Sequence, residues 1–252
     1  MIEPPLLLAL AAAFAVVAFL YACVGLGGGS TFTALLAIVG VDYLMIPTIS
    51  LALNLVVTFV GTINFHRGGH VRPQLVAPFL VTSVPGAWLG GALRLPEGVF
   101  LWLLTATLVL VAVRIYVLGE LRPRTPVGGG RRVLFSLGLG AVLGFVAGAV
   151  GIGGGIYLVP LMIMFGLASE KEAAASGAVF IWINSLVGLA ARGRHGGLDL
   201  PTMLVLMAAV AAGGWLGSTI GSLRVAPRTM QRILGVVVVL AVVLIARRLP
   251  LP

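Results

Sequence analysis

Ten apolar runs, separated by short polar or glycine-rich breaks, make up most of the 252-residue chain. They lie at Pro4 to Val24, Thr31 to Val41, Pro47 to Phe65, Leu75 to Leu93, Val99 to Leu118, Val133 to Val150, Ile156 to Leu167, Ala173 to Ala191, Leu200 to Leu223 and Ile233 to Ala246. Eight of them approach or reach the ~20 residues that cross a bilayer at 1.5 Å per residue, which predicts transmembrane helices. The other two, Thr31 to Val41 and Ile156 to Leu167, are half-length, and both directly follow a cluster of glycines.

Those clusters, Gly25-Leu26-Gly27-Gly28-Gly29 and Gly151-Ile152-Gly153-Gly154-Gly155, stand 126 positions apart, half the length of the chain. Each interrupts sequence that would otherwise read as one long membrane helix. Glycine weakens a helix by about 1 kcal/mol relative to alanine and leaves backbone N–H groups uncovered. In hydrocarbon such groups are tolerated only inside protein or beside a water-filled cavity, so the interruptions point to function. Other features recur at nearly the same offset. Arg67-Gly68-Gly69 matches His195-Gly196-Gly197, Gly86-Ala87-Trp88-Leu89-Gly90 matches Gly213-Gly214-Trp215-Leu216-Gly217, and Arg94-Leu95-Pro96 resembles Arg224-Val225-Ala226-Pro227. Recurrence on this scale reads as an internal duplication. Gly119 to Gly130, with Pro123, Pro126 and Gly128-Gly129-Gly130, reads as the linker. The expected fold class is all-α: a polytopic membrane protein of two homologous halves, each about four spans plus a glycine-broken half-helix. The first repeat is expected over 1–118, the linker over 119–131 and the second repeat over 132–252.

Composition agrees with that class, with 60% apolar residues, 9% charged residues and a mean hydropathy of +1.16. The net charge of +9 would suggest a nucleic-acid partner in a soluble protein. Here the basic residues cluster in the connections, at Arg122, Arg124, Arg131 and Arg132, at Arg67 and Arg72, and at Arg192 and Arg194, as expected of charges that orient a membrane protein. With four crossings per half, the side holding both termini and the central loop carries 11 of the 16 Lys and Arg residues and would be cytoplasmic. If the half-length runs also cross, another 11 to 5 split results, so charge alone leaves the parity open. Even crossings make the repeats parallel, and five make them inverted. Met1-Ile2-Glu3-Pro4-Pro5 lacks the basic region of a secretory signal, so the first apolar run is expected to stay as a span. Cys23 is the single cysteine, expected as a small buried residue.

Candidate chemistry is sparse. Asp42, Glu97, Glu120, Glu170, Glu172 and Asp199 fall at expected helix ends, and Glu3 precedes the first helix. A mid-membrane carboxylate, usual where a cation is bound or pumped, is therefore not expected, and neither a metal nor a cofactor is implied. What remains is neutral: Gly27, Gly28, Gly29 and Ser30 at the first break, with Thr31 beside them, and Gly153, Gly154 and Gly155 at the second. Asn54 and Thr58 lie on the helix after the first half-helix, and Ser176, Asn184 and Ser185 on the helix after the second. Such a lining suits an anion. The half-helices would add positive dipole ends worth about 0.3–1 kcal/mol each, and the two ends could meet around one substrate. Packing is the competing explanation, as for Gly144-x-x-x-Gly148 and Gly213-x-x-x-Gly217, and Ser50, Asn54, Ser176 and Asn184 could equally serve helix-helix hydrogen bonds. Packing motifs do not need three consecutive glycines, which favours an ion site. Trp88 and Trp215 are expected as packing anchors, Arg114 as a residue that snorkels to the interface, and His66, His70 and His195 as a solvated cluster at helix ends.

The twinned Gly-[Leu/Ile]-Gly-Gly-Gly, the polar helix that follows each copy and the paired Trp-Leu-Gly resemble the sulfite exporter family TauE/SafE, from Leu6 to roughly Ile245. That family moves sulfite, sulfonates or related anions across the bacterial cytoplasmic membrane, mostly outward, with two homologous halves. The resemblance implies anion transport and carries over no ligand residues beyond the glycine motifs. Ala34 stands where the second half has Pro160, a departure from symmetry. A P-loop is absent and Lys171 is the sole lysine, so the expected activity is secondary transport, not an enzyme reaction. A passive anion channel is the alternative. A poorer one is an intramembrane hydrolase using Ser30 with a histidine base, for which the second half offers only Ile156 in the serine's place. The expected partners are a small anionic substrate and the lipid bilayer, with no nucleic acid and with a homodimer left open; the expected location is the cytoplasmic membrane, multi-pass.

Overall fold

The computed structural model describes residues 4–23, 25–116, 130–193, 199–221 and 227–247. Among these the chain forms ten helices: α1 (Pro4–Ala22), α2 (Gly29–Val39), α3 (Ile46–Arg67), α4 (Pro73–Ala92), α5 (Glu97–Tyr116), α6 (Gly130–Val150), α7 (Gly155–Met164), α8 (Glu170–Arg192), α9 (Leu200–Gly221) and α10 (Pro227–Ala246). The expected linker falls mostly outside the described residues, as do His195 and Arg224. Six helices, α1, α3, α4, α6, α8 and α9, are long and apolar enough to cross a membrane. The two short ones, α2 and α7, have 11 and 10 residues and occupy the same place in successive runs of five helices.

Local chemistry sets the boundaries, and in two places it extends a helix past its apolar run. The α8 helix begins at Glu170, ahead of Ala173, because Ser169 and Glu172 close a capping box around the first turn. The α10 helix begins at Pro227, six residues before Ile233, with proline in the first-turn position where its missing N–H costs nothing. At α9 the cap is Asp199, which accepts hydrogen bonds from the Thr202 hydroxyl (2.8 Å) and the Thr202 N–H (3.2 Å). Those two bonds hold the Asp199 carboxyl below its ordinary pKa.

Helix directions follow from which residues meet. Gly213 lies against Ala15 and Gly217 against Phe19, so α9 runs parallel to α1; Gly86 lies against Ala141 and Gly90 against Phe145, so α6 runs parallel to α4. The α3 and α8 helices are antiparallel, with Gly61 against Ala178, Leu51 against Gly188, and Phe65 packed with Ala174 and Ala175. Asn64 donates to Ser218 at 2.7 Å and Val57 touches Gly214, which makes α9, and hence α1, parallel to α3. For α1 and α3 to run the same way, the chain must come back between them, and α2 is the returning segment. By the same contacts α6 runs opposite to α1, so the two runs of five are inverted relative to one another. This resolves the parity that charge leaves open: the four-crossing arrangement with parallel halves does not occur. Both α1 and α10 have their outer ends at one end of the bundle, the terminal end. The C-terminal end of α5 and the N-terminal end of α6 lie at the other, which we call the basic end.

Small residues make these parallel contacts close. A Cβ at Gly90 would sit 2.1 Å from the Phe145 carbonyl oxygen, and one at Gly217 would sit 2.1 Å from that of Phe19. The tryptophans beside them do not anchor the packing, contrary to expectation. Trp88 is 52% exposed and Trp215 is 62% exposed, because the glycines occupy the inward face and turn the indoles outward. Cys23 is buried, as expected. Replacing Gly217 with valine forces α9 away from α1 and is expected to cost about 1–3 kcal/mol, the range for overpacking. Thermal unfolding in detergent checks this, with Gly138→Ala as the control, since a Cβ there meets nothing within 4 Å.

Candidate functional site

Each glycine cluster is a helix stop followed at once by a helix start. At the first, Gly25 takes φ +73° and closes α1: its N–H bonds to the Ala22 carbonyl at 3.2 Å and the Leu26 N–H to that of Tyr21 at 2.9 Å, the paired bonds of a Schellman ending. Gly28, at φ +93°, is the N-cap of α2. Left-handed backbone at both points explains why the cluster is glycine-rich. The second cluster repeats the plan, with Gly151 ending α6 at φ +85° and Gly154 capping α7 at φ +73°.

The two breaks cross over. Gly25, from the first, lies against Ala174, and its carbonyl faces Gly177 of α8; Gly151, from the second, lies against Pro47 of α3. They also touch each other, since a Cβ on Gly29 would be 2.5 Å from the Ile152 carbonyl oxygen. Ser50 fastens the junction: its hydroxyl donates to the Gly151 carbonyl at 2.8 Å and lies 3.3 Å from that of Gly29. Asn54, one turn further along α3, donates its amide to Gly151 O at 3.2 Å, beside Gly27, Gly29 and Gly153. One residue from each half-helix start thus shares a junction with two polar side chains of α3.

Neither Gly28 nor Gly154 offers a side-chain cap; the Thr31 and Tyr157 N–H groups bond back to the Gly28 and Gly154 carbonyls at 3.0 and 3.1 Å, so the N–H groups that face the junction are those of the two residues ahead of each, Gly29 and Ser30 in α2 and Gly155 and Ile156 in α7. Ser30 and Thr31 lie fully buried in the first turn of α2, and their hydroxyls meet Tyr21 Oη at 3.1 and 3.0 Å. Ser30 is therefore paired with a tyrosine of α1 and not with a histidine. Ser176 occupies the place in α8 that Ser50 has in α3. Its buried Oγ has no hydrogen-bond partner among the described residues, and the same holds for Asn54 Oδ1. Asn184 is also buried; its amide donates at 2.8 Å to Phe180 O of its own helix, and its Oδ1 too has no hydrogen-bond partner among the described residues. The expected site residues Gly27, Gly28, Gly29, Ser30, Asn54, Gly153, Gly154 and Gly155 lie together; Ser176 adjoins the residue that faces Gly25, and Asn184 is one turn along α8 from Ile181, which meets Gly153 and Gly155. Among the described residues the acids are all at helix ends, and no group of His, Cys, Asp and Glu could hold a metal ion.

The two ends of the bundle differ. At the basic end Arg72, just before α4, pairs with Glu172 of α8 at 2.5 Å, above the apolar cluster of Phe65, Val71, Ala174 and Ala175. At the terminal end a small open cleft lies between Pro47, Leu93, Arg94, Phe100, Ala149 and Arg192. Arg192 corrects its placement in a solvated connection. It is the last residue of α8 and only 4% exposed, with its guanidinium donating to Gly148 O at 3.3 Å and Ala149 O at 2.9 Å. Ser50, Tyr21 and Arg192 are the residues that sequence reasoning left outside the candidate site. Ser50 carried a signal, since it precedes Asn54 by four and so shares its helix face.

Comparison with known proteins fits this architecture. The chain is 36% identical over 243 residues, 92% of its own length and 95% of the relative's, to the probable membrane transporter protein y4hK of Sinorhizobium fredii. It is 31% identical over 99 residues, 39% of the chain and 36% of the relative, to the probable membrane transporter protein YunE of Bacillus subtilis. No solved structure matches. Residues 9–245 match the sulfite exporter TauE/SafE family across nearly the whole bundle, and the protein belongs to that family of membrane transporters.

Proposed function

We propose that the protein is a secondary transporter that carries a small sulfur-containing anion, sulfite or an organosulfonate, outward across the cytoplasmic membrane through the junction of the two glycine breaks. The observation that carries this reading is that the uncapped starts of α2 and α7 meet there, with hydroxyl and amide groups around them and the acids held at helix ends. Two helix starts facing one point leave positive partial charge that an anion offsets, about 0.3–1 kcal/mol per end at exposed sites and more when buried. The family name, sulfite exporter, supports the substrate class.

Energetics favour export without a bound coupling ion. With the inside negative, moving one negative charge outward gains about 2.3 kcal/mol per 100 mV. Positive charge supports placing the basic end in the cytoplasm, because Arg67, Arg72, Arg132 and Lys171 belong to it. The inverted arrangement then puts both termini outside. Tight contact at the junction supports a carrier over an open channel, since Gly29 has no room for a methyl group beside Ile152. The substrate would pass only when the two runs shift against one another. The Arg72–Glu172 pair joins the first run to the second at the cytoplasmic end and is suited to be the contact that breaks.

Two measurements test this. Proteoliposomes loaded with sulfite, sulfate, thiosulfate, sulfoacetate or taurine are expected to release at least one of the sulfur anions with saturable kinetics, faster when the starting compartment is negative; flux of none of them contradicts the reading, and flux that rises linearly without saturation favours a channel. The second uses Glu172→Gln, which keeps a capping-box side chain but removes the charge facing Arg72. In a Cys23→Ala, Ala175→Cys background, labelling of the new cysteine by a membrane-impermeant maleimide from the cytoplasmic side is expected to speed up at least threefold. An unchanged rate means that the ion pair does not gate that end.

A further inference from the structure

We infer that Asn54 selects the anion by its proton. The junction of the two breaks suits a singly charged oxyanion that carries an O–H group, hydrogensulfite in its O-protonated form, over sulfate or a plain sulfonate; this rests on the transport reading above. Asn54 is 0% exposed, on the face of α3 turned to the first break. Its amide donates to the Gly151 carbonyl at 3.2 Å, which fixes how the side chain is turned. The nitrogen lies beside Gly29 and Gly153, and Oδ1 lies on the other edge, where a Cβ on Gly27 would be 2.5 Å away. That oxygen has no hydrogen-bond partner among the described residues. A buried acceptor without a donor is costly, and one that stands beside two helix starts is explained by a donor that the ligand brings.

Charge argues for the same species. The α1, α2, α7 and α9 helices contain no charged residue, and α3, α6 and α8 carry theirs at their ends. The positive charge at the junction is therefore that of the starts of α2 and α7, about half an elementary charge each. Together they balance about one negative charge, which fits a monoanion and leaves a dianion about one charge short. The N–H groups of Gly29, Ser30, Gly155 and Ile156 can take the oxygens that bear the charge, while Asn54 Oδ1 can accept from the O–H. Contact across the junction is close, so the anion meets these groups as the two runs part. A sulfonate has the same charge and three oxygens but no O–H, and would leave Oδ1 bare. Sites that bond a substrate hydroxyl reject analogues lacking it far more strongly than apolar pockets reject a missing methylene. Among the described residues the titratable groups at or beside the breaks are the Tyr21 and Tyr157 phenols, which stay neutral between about pH 6 and 8, and the Cys23 thiol.

Sulfite flux into proteoliposomes, net of protein-free vesicles, is measured at equal pH on both sides and at fixed potential. KM in total sulfite is expected to rise at least fivefold from pH 6 to pH 8, and to stay within twofold when recalculated as hydrogensulfite, which gives up its proton close to neutral pH. A Cys23→Ala, His66→Gln, His70→Gln protein is expected to keep that profile, because the proton belongs to the anion. At pH 6 methanesulfonate, a monoanion with no O–H, is expected to inhibit only at concentrations at least tenfold above the KM for hydrogensulfite. Asn54→Leu is expected to raise the sulfite KM at least fivefold and to leave methanesulfonate inhibition within twofold; a bracing role for Asn54 would weaken both anions alike. A total-sulfite KM that moves less than twofold with pH, or methanesulfonate inhibition within threefold of the hydrogensulfite KM, overturns the inference. Both are read on the wild-type protein, so they decide it even where Asn54→Leu fails to fold. Saturable flux with either of those results leaves the transport reading standing, and absence of flux sinks both.

Discussion

Backbone that leaves the helix inside hydrocarbon must find hydrogen-bond partners in the protein, and this requirement governs the whole arrangement. Two broken segments in one chain double the demand. The chain meets it by placing each break against the other run: Ser50 and Asn54 of α3 serve the carbonyl of Gly151, and Ala174 and Gly177 of α8 cover the break at Gly25. The breaks are thus mutually dependent, and the crossing of the two runs follows from it. Helices α3 and α8 have to be central and antiparallel, and small residues have to bring α1 against α9 and α4 against α6 closely enough to hold them there.

The same requirement gives the junction its chemistry. Side chains satisfy the Gly151 and Gly29 carbonyls, while the first N–H groups of α2 and α7 have no side-chain cap from Gly28 or Gly154. Those donors are the basis of the proposed bias towards anions, set against one acceptor, Asn54 Oδ1, that has no partner among the described residues. The cost of that bias is met partly by burial in protein and partly by the inversion, which sets both helix starts at one point instead of two. The two ends differ, with an ion pair over apolar side chains at one and a small cleft lined by Arg94 and Arg192 at the other.

Much of this was legible because glycine and membrane hydropathy are strong local signals. All ten runs became helices, the half-length ones included, and the glycine clusters marked both helix interruptions. Boundaries were missed where polar chemistry continues a helix beyond its apolar run, as in the capping box at Ser169 and the proline start at Pro227. Direction was not legible, because charge distributes equally well over even and odd crossings; only contacts such as Asn64 with Ser218 decide it. Within the site, the glycines and Asn54 were readable from spacing, whereas Arg192 was misread because an arginine at a helix end usually reaches water. Its burial depends on the end of α6, a partner 43 positions earlier in sequence. The tryptophans misled for the opposite reason: they recur with the glycines, but the glycines make the contact.

Ser176 offers the most direct test that the two breaks together bind the substrate. Its Oγ is buried next to the residue that faces Gly25 and has no hydrogen-bond partner among the described residues, so its removal takes no bond from the folded state. The decisive measurement is therefore the KM for sulfite of Ser176→Ala beside its Tm. The account predicts a Tm within about 1–2 °C of wild type, less than a 1 kcal/mol loss would produce in a chain of this size, together with a KM raised at least threefold. An unchanged KM at unchanged Tm would contradict it, and the glycine breaks would then be devices of packing alone.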